Sequence, residues 1–305
     1  MAQAPPPVSP PPAPEPISRH EGHGWTFEAE SEPLWPSNRI DDLCAEEGLC
    51  KVPDMYCGNA ALRIRHPETG FNLTLDTLGM LRSCRWKPPP KPSNQPLRET
   101  LPTRESEGEE APLLGSVKCQ FAAKWKPKGD NPDVKELEVS SDWTCCSPYW
   151  GDASMTPKDG EESVPVVPEV TQDELPMDEL RRRDEIHWHN EVFFWEDELD
   201  DNGVCRASVR VRVMPTFWFV LLQCELRVDN VLIRDVSTRF FHSFGSDHVL
   251  REWTWREVPF QALKEKGLQI AGNPAISQMS VGTILLGEGD VKQRLRHHLP
   301  VKAGV

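Results

Sequence analysis

Two histidines separated by one residue are the first group in this sequence that could bind a metal ion. In an extended segment, His187 and His189 would point to the same side. Zinc sites usually add a second pair of ligands. The adjacent Cys145 and Cys146 lie far upstream and would point to opposite faces of a strand. The sequence therefore favours a polar rim over a metal site, and we predict no metal and no cofactor.

Two glutamates could act as a general acid and base. Glu196 and Glu198 would lie about 7 Å apart on one face of a strand, within the range that glycoside hydrolases use. They precede a turn, however, where solvated carboxylates are common. Cys205 and Cys224 have no histidine at a fixed spacing that would activate a thiol. The chain also has no phosphate-binding loop, nucleophile elbow or His-Glu-x-x-His motif, so we predict that it is not an enzyme.

A run of four consecutive strands is the clearest structural pattern. Between Glu191 and Phe241, apolar residues alternate with polar ones or follow one another, as in an antiparallel sheet. Asp201-Asn202-Gly203 and, more weakly, Asp229-Asn230 are typical of hairpin turns. Pro215 has no N–H and should end the second of these strands. A short polar helix is expected just before them, in "MDELRRRDEI".

The second and third of these strands predict a second layer. We expect Val209, Val211 and Val213 to face inward and the arginines between them to face outward. The third strand, "TFWFVLL", is apolar on both faces, so earlier strands such as "WTFEAE" should cover its far side. The predicted fold class is α+β, with two packed, mostly antiparallel β layers and a few short helices.

Proline-rich segments divide the chain into parts. There are 30 prolines, about twice the usual share, and residues 1–19 predict a disordered Pro-rich tail. We expect a single domain over residues 20–257, with an insertion at 87–112 and a loop at 154–176. Residues 258–305 are expected to form a C-terminal extension that is partly disordered, with a loose tail from Lys292.

The overall charge is strongly acidic. The 48 Asp and Glu residues against 34 Lys and Arg residues give a net charge of −14, which repels nucleic acid and anionic lipid. No stretch approaches the roughly 20 apolar residues of a membrane span, so neither nucleic acid nor membrane is expected as a partner. Nine cysteines without regular spacing indicate reduced thiols in a cytoplasmic protein, with the nucleus as an open alternative.

Several motifs occur here in the order found in one known family. Residues 191–242, followed by "VLREWTWRE", resemble the TOR signalling pathway regulator-like family, the Tap-interacting and phosphatase-binding proteins. The similar motifs are Glu-Asp-Glu-Leu at 196–199, Arg-Val-Met-Pro at 212–215, Val-Leu-Ile-Arg at 231–234 and Thr-Arg at 238–239. Two upstream segments, "VPDMYCGNAALRIRH" and "DWTCCSPYWG", are also similar to segments of that family. The resemblance extends from about Trp25 to Glu257.

This resemblance implies a non-enzymatic protein that binds the catalytic subunit of type-2A protein phosphatases. Family members engage the C-terminal tail of that subunit and restrain its activity in TOR-kinase signalling. They act alongside the phosphatase-binding subunit named alpha-four, or Tap in yeast. The resemblance places these residues at the partner-binding surface: Asp76, Gly79, Asp142, Trp143, Tyr149, Leu175, Arg234, Asp235, Ser237 and Arg239.

Two positions depart from the family's pattern, which indicates a divergent member. Ser237 stands where the family has an aspartate. The nearest acidic residue is Asp235, which we interpret as lying one position earlier than that aspartate. Because a shift by one residue turns a side chain to the other face of a strand, Asp235 should not replace the missing carboxylate unless a bulge restores its direction. Gly79 also stands where the family has an aspartate, with Asp76 as the nearest acidic residue.

Two arginines are expected to line one groove for the phosphatase tail. Either Arg234 or Arg239 would bind the terminal carboxylate. The alternatives are that both are solvated, or paired with Glu225 and Asp229. A different function also stays open, namely a scaffold that docks other partners through its tail, whose Pro-x-x-Pro spacing suits proline-recognition modules.

Overall fold

A computed structural model gives the fold of the chain. The structure describes residues 17–47, 52–83, 85–86, 140–141, 149–156, 162–199, 203–267, 285 and 289–302. The predicted insertion at 87–112 lies outside the described residues, as does the Pro-rich tail up to position 16. A strand begins at Ile17, so residues 17–19 of the predicted tail belong to the described part of the fold.

The larger of the two main sheets has eight strands in the order β10-β16-β15-β14-β13-β12-β11-β3 among the described residues. All of its pairings are antiparallel. Strands β11 to β15 follow one another as a meander, as the sequence predicts. The strands of this sheet are β3 Met55–Tyr56, β10 Glu169–Val170, β11 Trp188–Asp197, β12 Gly203–Val213, β13 Phe217–Val228, β14 Leu232–Ser243, β15 His248–Pro259 and β16 Asp290–Pro300.

The smaller main sheet has, in the described part of the chain, six antiparallel strands in the order β1-β2-β4-β5-β8-β9. Its strands are β1 Ile17–Gly22, β2 Trp25–Glu30, β4 Ala61–His66, β5 Phe71–Asp76, β8 Asp152–Met155 and β9 Val164–Pro165. A separate pair joins β6 Arg85–Trp86 to β7 Ser140–Ser141. The helices that the structure describes are short: α1 Ser37–Glu47, α2 Thr77–Ser83, α3 Met177–Leu180 and α4 Phe260–Glu265. The predicted α+β class with two antiparallel layers is confirmed.

The signals at Asn230, at Pro215 and in the valines of β12 act as the sequence predicts, whereas Asp201 and Asn202 of the other predicted turn lie outside the described residues. Asn230 adopts a φ of 62° in the turn between β13 and β14, a left-handed conformation that asparagine tolerates better than most residues. Pro215 separates β12 from β13, and the adjacent Met214 N–H donates to the Phe217 carbonyl over 2.8 Å. Along β12 the three valines are buried and Arg210 is exposed, because successive side chains point to opposite faces.

The core lies between the two main sheets. We call the side of the larger sheet that faces the smaller sheet its inner face, and the other side its outer face. On the inner face, the ring of Trp218 packs edge-on against Trp25 of β2, with centroids 5.2 Å apart. Phe27, Ile64 and Leu73 of the smaller sheet belong to the same buried cluster. This contact between sheets buries large aromatic area and provides the main apolar driving force for the fold.

The outer face of the larger sheet is covered at both ends by short helical segments. The sequence predicts that earlier strands cover the far side of "TFWFVLL". Those strands cover Trp218 and its neighbours on the inner face, but they do not cover the residues of this segment that point outward. Phe217 points outward and packs with Leu175 and Leu180, which flank or belong to α3. At the opposite end, Ile233 packs with Phe260 of α4. A polar region between these two ends is left for other contacts.

The C-terminal segment differs from the expected loose tail. Strand β16 pairs with β15 from His248↔Pro300 to Glu257↔Asp290, and Leu299 is 1% exposed in the main core. The domain therefore continues past residue 257. The loop predicted at 154–176 also contains two short strands, since β9 pairs with β8 and β10 pairs with β16. Residues 268–284, 286–288 and 303–305 lie outside the described part of the chain.

Replacing Leu299 with alanine should lower the free energy of unfolding by about 2–5 kcal/mol, because a large buried side chain is removed from a packed core. Val291→Ala is the matched control, since Val291 is exposed on the same strand and should change stability by no more than about 0.5 kcal/mol. Urea denaturation measures both. Equal small effects from the two variants would mean that β16 does not belong to the cooperative core.

Candidate functional site

The predicted partner-binding residues on β14 lie on both faces of the larger sheet. The register of β14 with β13 and β15 is unbroken, and Arg234 and Arg239 are five positions apart, so they point to opposite faces. Arg234 lies opposite the core residue Leu226, on the inner face. Arg239 is on the outer face. The expectation that the two arginines line one groove is therefore wrong.

Arg234 forms a buried ion pair within the protein. Its side chain is 2% exposed, and its Nη2 and Nε lie 2.8 and 2.9 Å from Oε2 of Glu257. Its guanidinium carbon is 5.0 Å from the ring centre of Trp255, a cation–π distance. The partner acid is Glu257 rather than Glu225 or Asp229. Because these contacts use the guanidinium inside the fold, Arg234 positions β14 and β15 and does not present a binding surface.

Asp235, Ser237 and Arg239 share the outer face. Asp235 and Ser237 are two positions apart, not one, and β14 has no bulge between them. The expectation that Asp235 points away from the family's carboxylate position is therefore wrong, since side chains two apart lie on the same face. Ser237 is 1% exposed, and its Oγ has no hydrogen-bond partner among the described residues.

Four arginines surround these residues on the outer face, and we call them the arginine cluster: Arg239 of β14, Arg256 of β15, and Arg294 and Arg296 of β16. The carboxylate of Glu252 lies among them with a side-chain exposure of only 6%. It accepts hydrogen bonds from Arg239 Nη1 over 3.2 Å and Arg296 Nε over 2.8 Å. Arg294 Nε is 3.7 Å away. Charged hydrogen bonds of this kind are what allow a carboxylate to be buried.

Arg256 differs from the other members of the arginine cluster in its contacts. Asp235 and Glu252 are the buried carboxylates beside the four guanidinium groups, and Glu174 reaches Arg296 over 3.0 Å from one edge. No carboxylate among the described residues lies within ion-pair distance of Arg256. Burial and the nearby charges of Arg239 and Arg294 lower the pKa of Arg256, and its Nε is buried without a hydrogen-bond partner. Arg256 is therefore the member of the cluster that has no carboxylate partner among the described residues.

Asp235 is an ionisable group whose charge depends on pH near neutrality. Burial raises the pKa of Asp235 to about 6, against the opposing effects of Gln223 and Arg239. Gln223 Nε2 donates to its Oδ1 over 2.5 Å. When Asp235 takes up a proton, the arginine cluster gains net positive charge, which strengthens its attraction for anions.

Three of the four arginines in the cluster were missed as site residues in the sequence. Arg256 was recognised only as part of a family motif, and Arg294 and Arg296 fell in the segment expected to be loose. The available signal was the alternation of basic residues in "VKQRLRHH", which is typical of a strand with one charged face. Few apolar residues accompany that alternation, so it does not indicate a buried strand.

Asp76, Gly79 and Tyr149 come together in a second place, at the start of α2. The Asp76 carboxylate accepts the Gly79 N–H over 2.7 Å, as a helix N-cap does. Tyr149 Oη lies 3.2 Å from the Asp76 N–H, and a Cβ added at Gly79 would lie 2.6 Å from that oxygen. Burial raises the pKa of Tyr149. Its carbonyl accepts the hydroxyl of Thr238 over 2.7 Å, so this group connects α2 to the inner face of β14.

Of the remaining predicted partner-binding residues, Leu175 joins neither place. Leu175 is a core residue of the cluster that packs on Phe217 and is 7% exposed, so its contacts lie within the protein. Asp142 and Trp143 lie outside the described residues. The arginine cluster lies on the outer face of the larger sheet. The group of Asp76, Gly79 and Tyr149 contacts the inner face through Thr238.

Within the part of the chain that the structure describes, the groups first considered for chemistry are not assembled into catalytic sites. His187 and His189 are exposed and belong to no cluster of metal-ligating groups among the described residues. Glu196 pairs with Arg206 at 3.6 Å, and Glu198 lies beyond the end of β11. Cys205 and Cys224 are buried with their sulfurs 3.7 Å apart, and Cys145 and Cys146 are outside the described part of the chain.

Comparison with known proteins decides the family. A model of the TIP41-like family matches residues 55–264, more than half of the chain. The chain belongs to the TIP41-like family. A TIP41-like protein of Arabidopsis thaliana is 30% identical over 262 residues, 81% of this chain and 80% of that protein. A TIP41-like protein of Homo sapiens is 30% identical over 241 residues, 78% of this chain and 76% of that protein.

Relatives in two yeasts have a more specific name. The Saccharomyces cerevisiae protein named type 2A phosphatase activator TIP41 is 25% identical over 248 residues, 79% of this chain and 63% of that protein. The Schizosaccharomyces pombe protein of the same name is 23% identical over 254 residues, 82% of this chain and 86% of that protein. These identities make this chain a divergent member of the TIP41-like family. The match to the TIP41-like family model includes Arg239 and Arg256 and ends before β16.

Among the described residues of this TIP41-like chain, no helix has the length and apolar character needed to cross a membrane.

Arg234 and Arg239 should differ in their contribution to stability. Arg234→Ala should lower the free energy of unfolding by about 3 kcal/mol, because it leaves Glu257 without its partner at a buried position. Arg239→Ala should cost about 1 kcal/mol or less, since Glu252 keeps Arg296. Urea denaturation of both variants measures the difference. A smaller loss for Arg234→Ala than for Arg239→Ala would contradict the assignment of faces.

Asp235 should make stability depend on pH. Its pKa is raised from 3.8 in the unfolded chain to about 6 in the fold, so the ionised carboxylate destabilises the fold fully above about pH 6. That cost disappears as pH falls toward 3.8. Asp235→Asn should therefore raise the free energy of unfolding at pH 7 by roughly 2–3 kcal/mol, and the gain should shrink steadily down to pH 4.

Denaturation at each pH tests this prediction. Asp178→Asn is the control, because Asp178 in the first turn of α3 is not buried. A gain for Asp235→Asn that is the same at pH 7 and pH 4 would contradict a raised pKa.

Proposed function

We propose that this protein is a non-enzymatic regulator that binds the catalytic subunit of a type-2A-like protein phosphatase and changes its activity. Membership of the TIP41-like family carries this proposal, because two yeast relatives are named type 2A phosphatase activators. The acid–base and nucleophile candidates of the sequence are also not assembled into catalytic sites in the described residues, which agrees with a binding role.

The surface proposed to take the phosphatase is the arginine cluster. A chain ends in a carboxylate, and guanidinium groups bind carboxylates through charged, often bidentate hydrogen bonds. Arg256 has an unpartnered, buried Nε, and Arg239 keeps 20% of its side chain exposed at the same place. The C-terminal carboxylate of the phosphatase tail would therefore bind beside Arg256 and Arg239.

The acidic surroundings would make this contact selective. With a net charge of −14, the protein repels anions in general. An anionic ligand would therefore bind only where it reaches the arginine cluster. We further propose that the protein acts in TOR signalling in the cytoplasm, in association with the alpha-four (Tap) subunit. The resemblance of its motifs to the TOR signalling pathway regulator-like family supports this part of the proposal.

Calorimetric titration with a synthetic peptide of the phosphatase C-terminal tail tests the binding surface. Arg256→Gln and Arg239→Gln should each weaken binding about tenfold, equivalent to about 1.4 kcal/mol, because each removes a charged hydrogen bond to the carboxylate. A peptide with an amidated C-terminus should lose affinity to the same extent. Arg210→Gln is the matched control, since Arg210 lies on the same face of the same sheet and pairs with Glu191.

Capture of the whole catalytic subunit separates the function from the surface. Immobilised wild-type protein should retain the subunit and change its turnover of a phosphopeptide, and a chain that lacks residues 1–16 should do the same. If the subunit is captured but the arginine variants bind the tail peptide like wild type, the surface is wrong and the function stands. If the wild type neither captures the subunit nor alters its turnover, the function itself is wrong. Loss of capture without residues 1–16 would favour the Pro-rich scaffold.

A further inference from the structure

Three metal-ligating side chains from distant parts of the sequence meet at one edge of the outer face. Asp173 lies in the connector between β10 and α3, His248 at the start of β15, and His298 near the end of β16. One ligand atom of each lies within 4.8 Å of the other two. Among the described residues, no other group of three or more histidine, cysteine or carboxylate side chains is arranged in this way.

The backbone brings the two histidines into contact. His248 pairs with Pro300 and His298 with Leu250 in the ladder between β15 and β16, so the two histidines are diagonal neighbours on the same face. Their rings stack with centroids 3.9 Å apart and an interplanar angle of 30°. The ladder therefore brings two imidazoles, a common type of metal ligand, to one place on the outer face.

Each histidine has one nitrogen arranged for an ion. Nδ1 of His248 lies 2.7 Å from Oδ1 of Asp247, a contact that fixes the ring and leaves Nε2 as the nitrogen available to a metal. Nε2 of His298 lies 2.9 Å from Oδ2 of Asp173, yet it makes no hydrogen bond of acceptable geometry and is shielded from solvent. Nε2 of His298 and Oδ2 of Asp173 are therefore close together without being joined by a hydrogen bond.

We propose that Asp173, His248 and His298 form a binding site for a divalent transition-metal ion, with Zn²⁺ as the best fit. Zinc binds two imidazoles and a carboxylate at about 2.0–2.2 Å from each ligand atom. Ligand atoms around a tetrahedral ion then lie about 3.3 Å apart, and small side-chain rotations would reach that spacing. Asp173 is well suited to adjust, because its side chain is 63% exposed.

The proposed ion would attach the connector between β10 and α3 to the edge of the larger sheet. Glu174, the next residue, already reaches Arg296 over 3.0 Å, and Leu175 packs into the cluster around Phe217. Three protein ligands would leave one coordination position open, which is typical of zinc sites that take an external ligand. Asp173 and His248 also line a surface cleft of about 330 Å³ whose floor includes Phe241 and Leu250.

Titration of the untagged, metal-free chain with Co²⁺, a spectroscopic substitute for Zn²⁺, tests the site. We expect saturable binding of one ion per chain, with visible absorption bands that disappear when Zn²⁺ is added. Asp173→Asn and His298→Asn should each weaken binding by at least about tenfold, since even the loss of residues that only support metal ligands costs this much. Wild-type protein should also melt at a higher temperature with Zn²⁺ than without it, and Asp173→Asn should remove that increase.

The matched control is His189→Asn, which removes an exposed histidine elsewhere and should leave Co²⁺ binding unchanged. Circular dichroism of each variant verifies that it folds, and the exposed position of Asp173 makes Asp173→Asn safe in this respect. The proposal is overturned if wild type shows no saturable binding, or if both site variants bind like wild type. It is also overturned if His189→Asn weakens binding as much as they do, because the ion would then sit at His187 and His189.

Discussion

Burial of the inner face of the larger sheet against the smaller sheet is the interaction on which the rest of the structure depends. Trp25 is central to it, since its ring contacts Trp218 at 5.2 Å, His242 at 4.6 Å and Phe71 at 5.8 Å. Such contacts combine large buried area with favourable ring geometry. Once one face of a strand is committed to this core, strict alternation decides which residues must point outward. The composition of the outer face is thus a consequence of packing on the inner face.

The outer face combines apolar ends with a charged centre. Leu175 and α4 cover its two ends, and the buried carboxylates of Asp235 and Glu252 lie between them. Burying a carboxylate is costly unless charged donors satisfy it, and the arginine cluster provides these donors for Glu252. The requirement to bury Glu252 therefore gathers guanidinium groups in one place on an acidic protein.

Much of the fold could be predicted because its signals are local. The valines of β12, the turn at Asn230 and the break at Pro215 each act through a few neighbouring residues, and the family motifs lie in the same meander. Strand β16 could not be predicted, since its alternation is basic rather than apolar and its partner β15 precedes it by more than thirty residues. The site was harder still. Arg234 and Arg239 looked alike in the sequence, but the register of β14 places one in the core and the other outside.

The sequence by itself determined the fold class, the meander, its turns and the family, because hydrophobic alternation and turn chemistry depend on residues close together in the chain. Only the tertiary structure decided which charged residues meet. Glu252 and Arg296 are 44 positions apart, and Asp173 and His298 are separated by more than a hundred, yet each pair lies within 3 Å. Strand register and the covering of the outer face bring them together. Neither is a local property of the chain, because both are set by which surfaces must be buried at once.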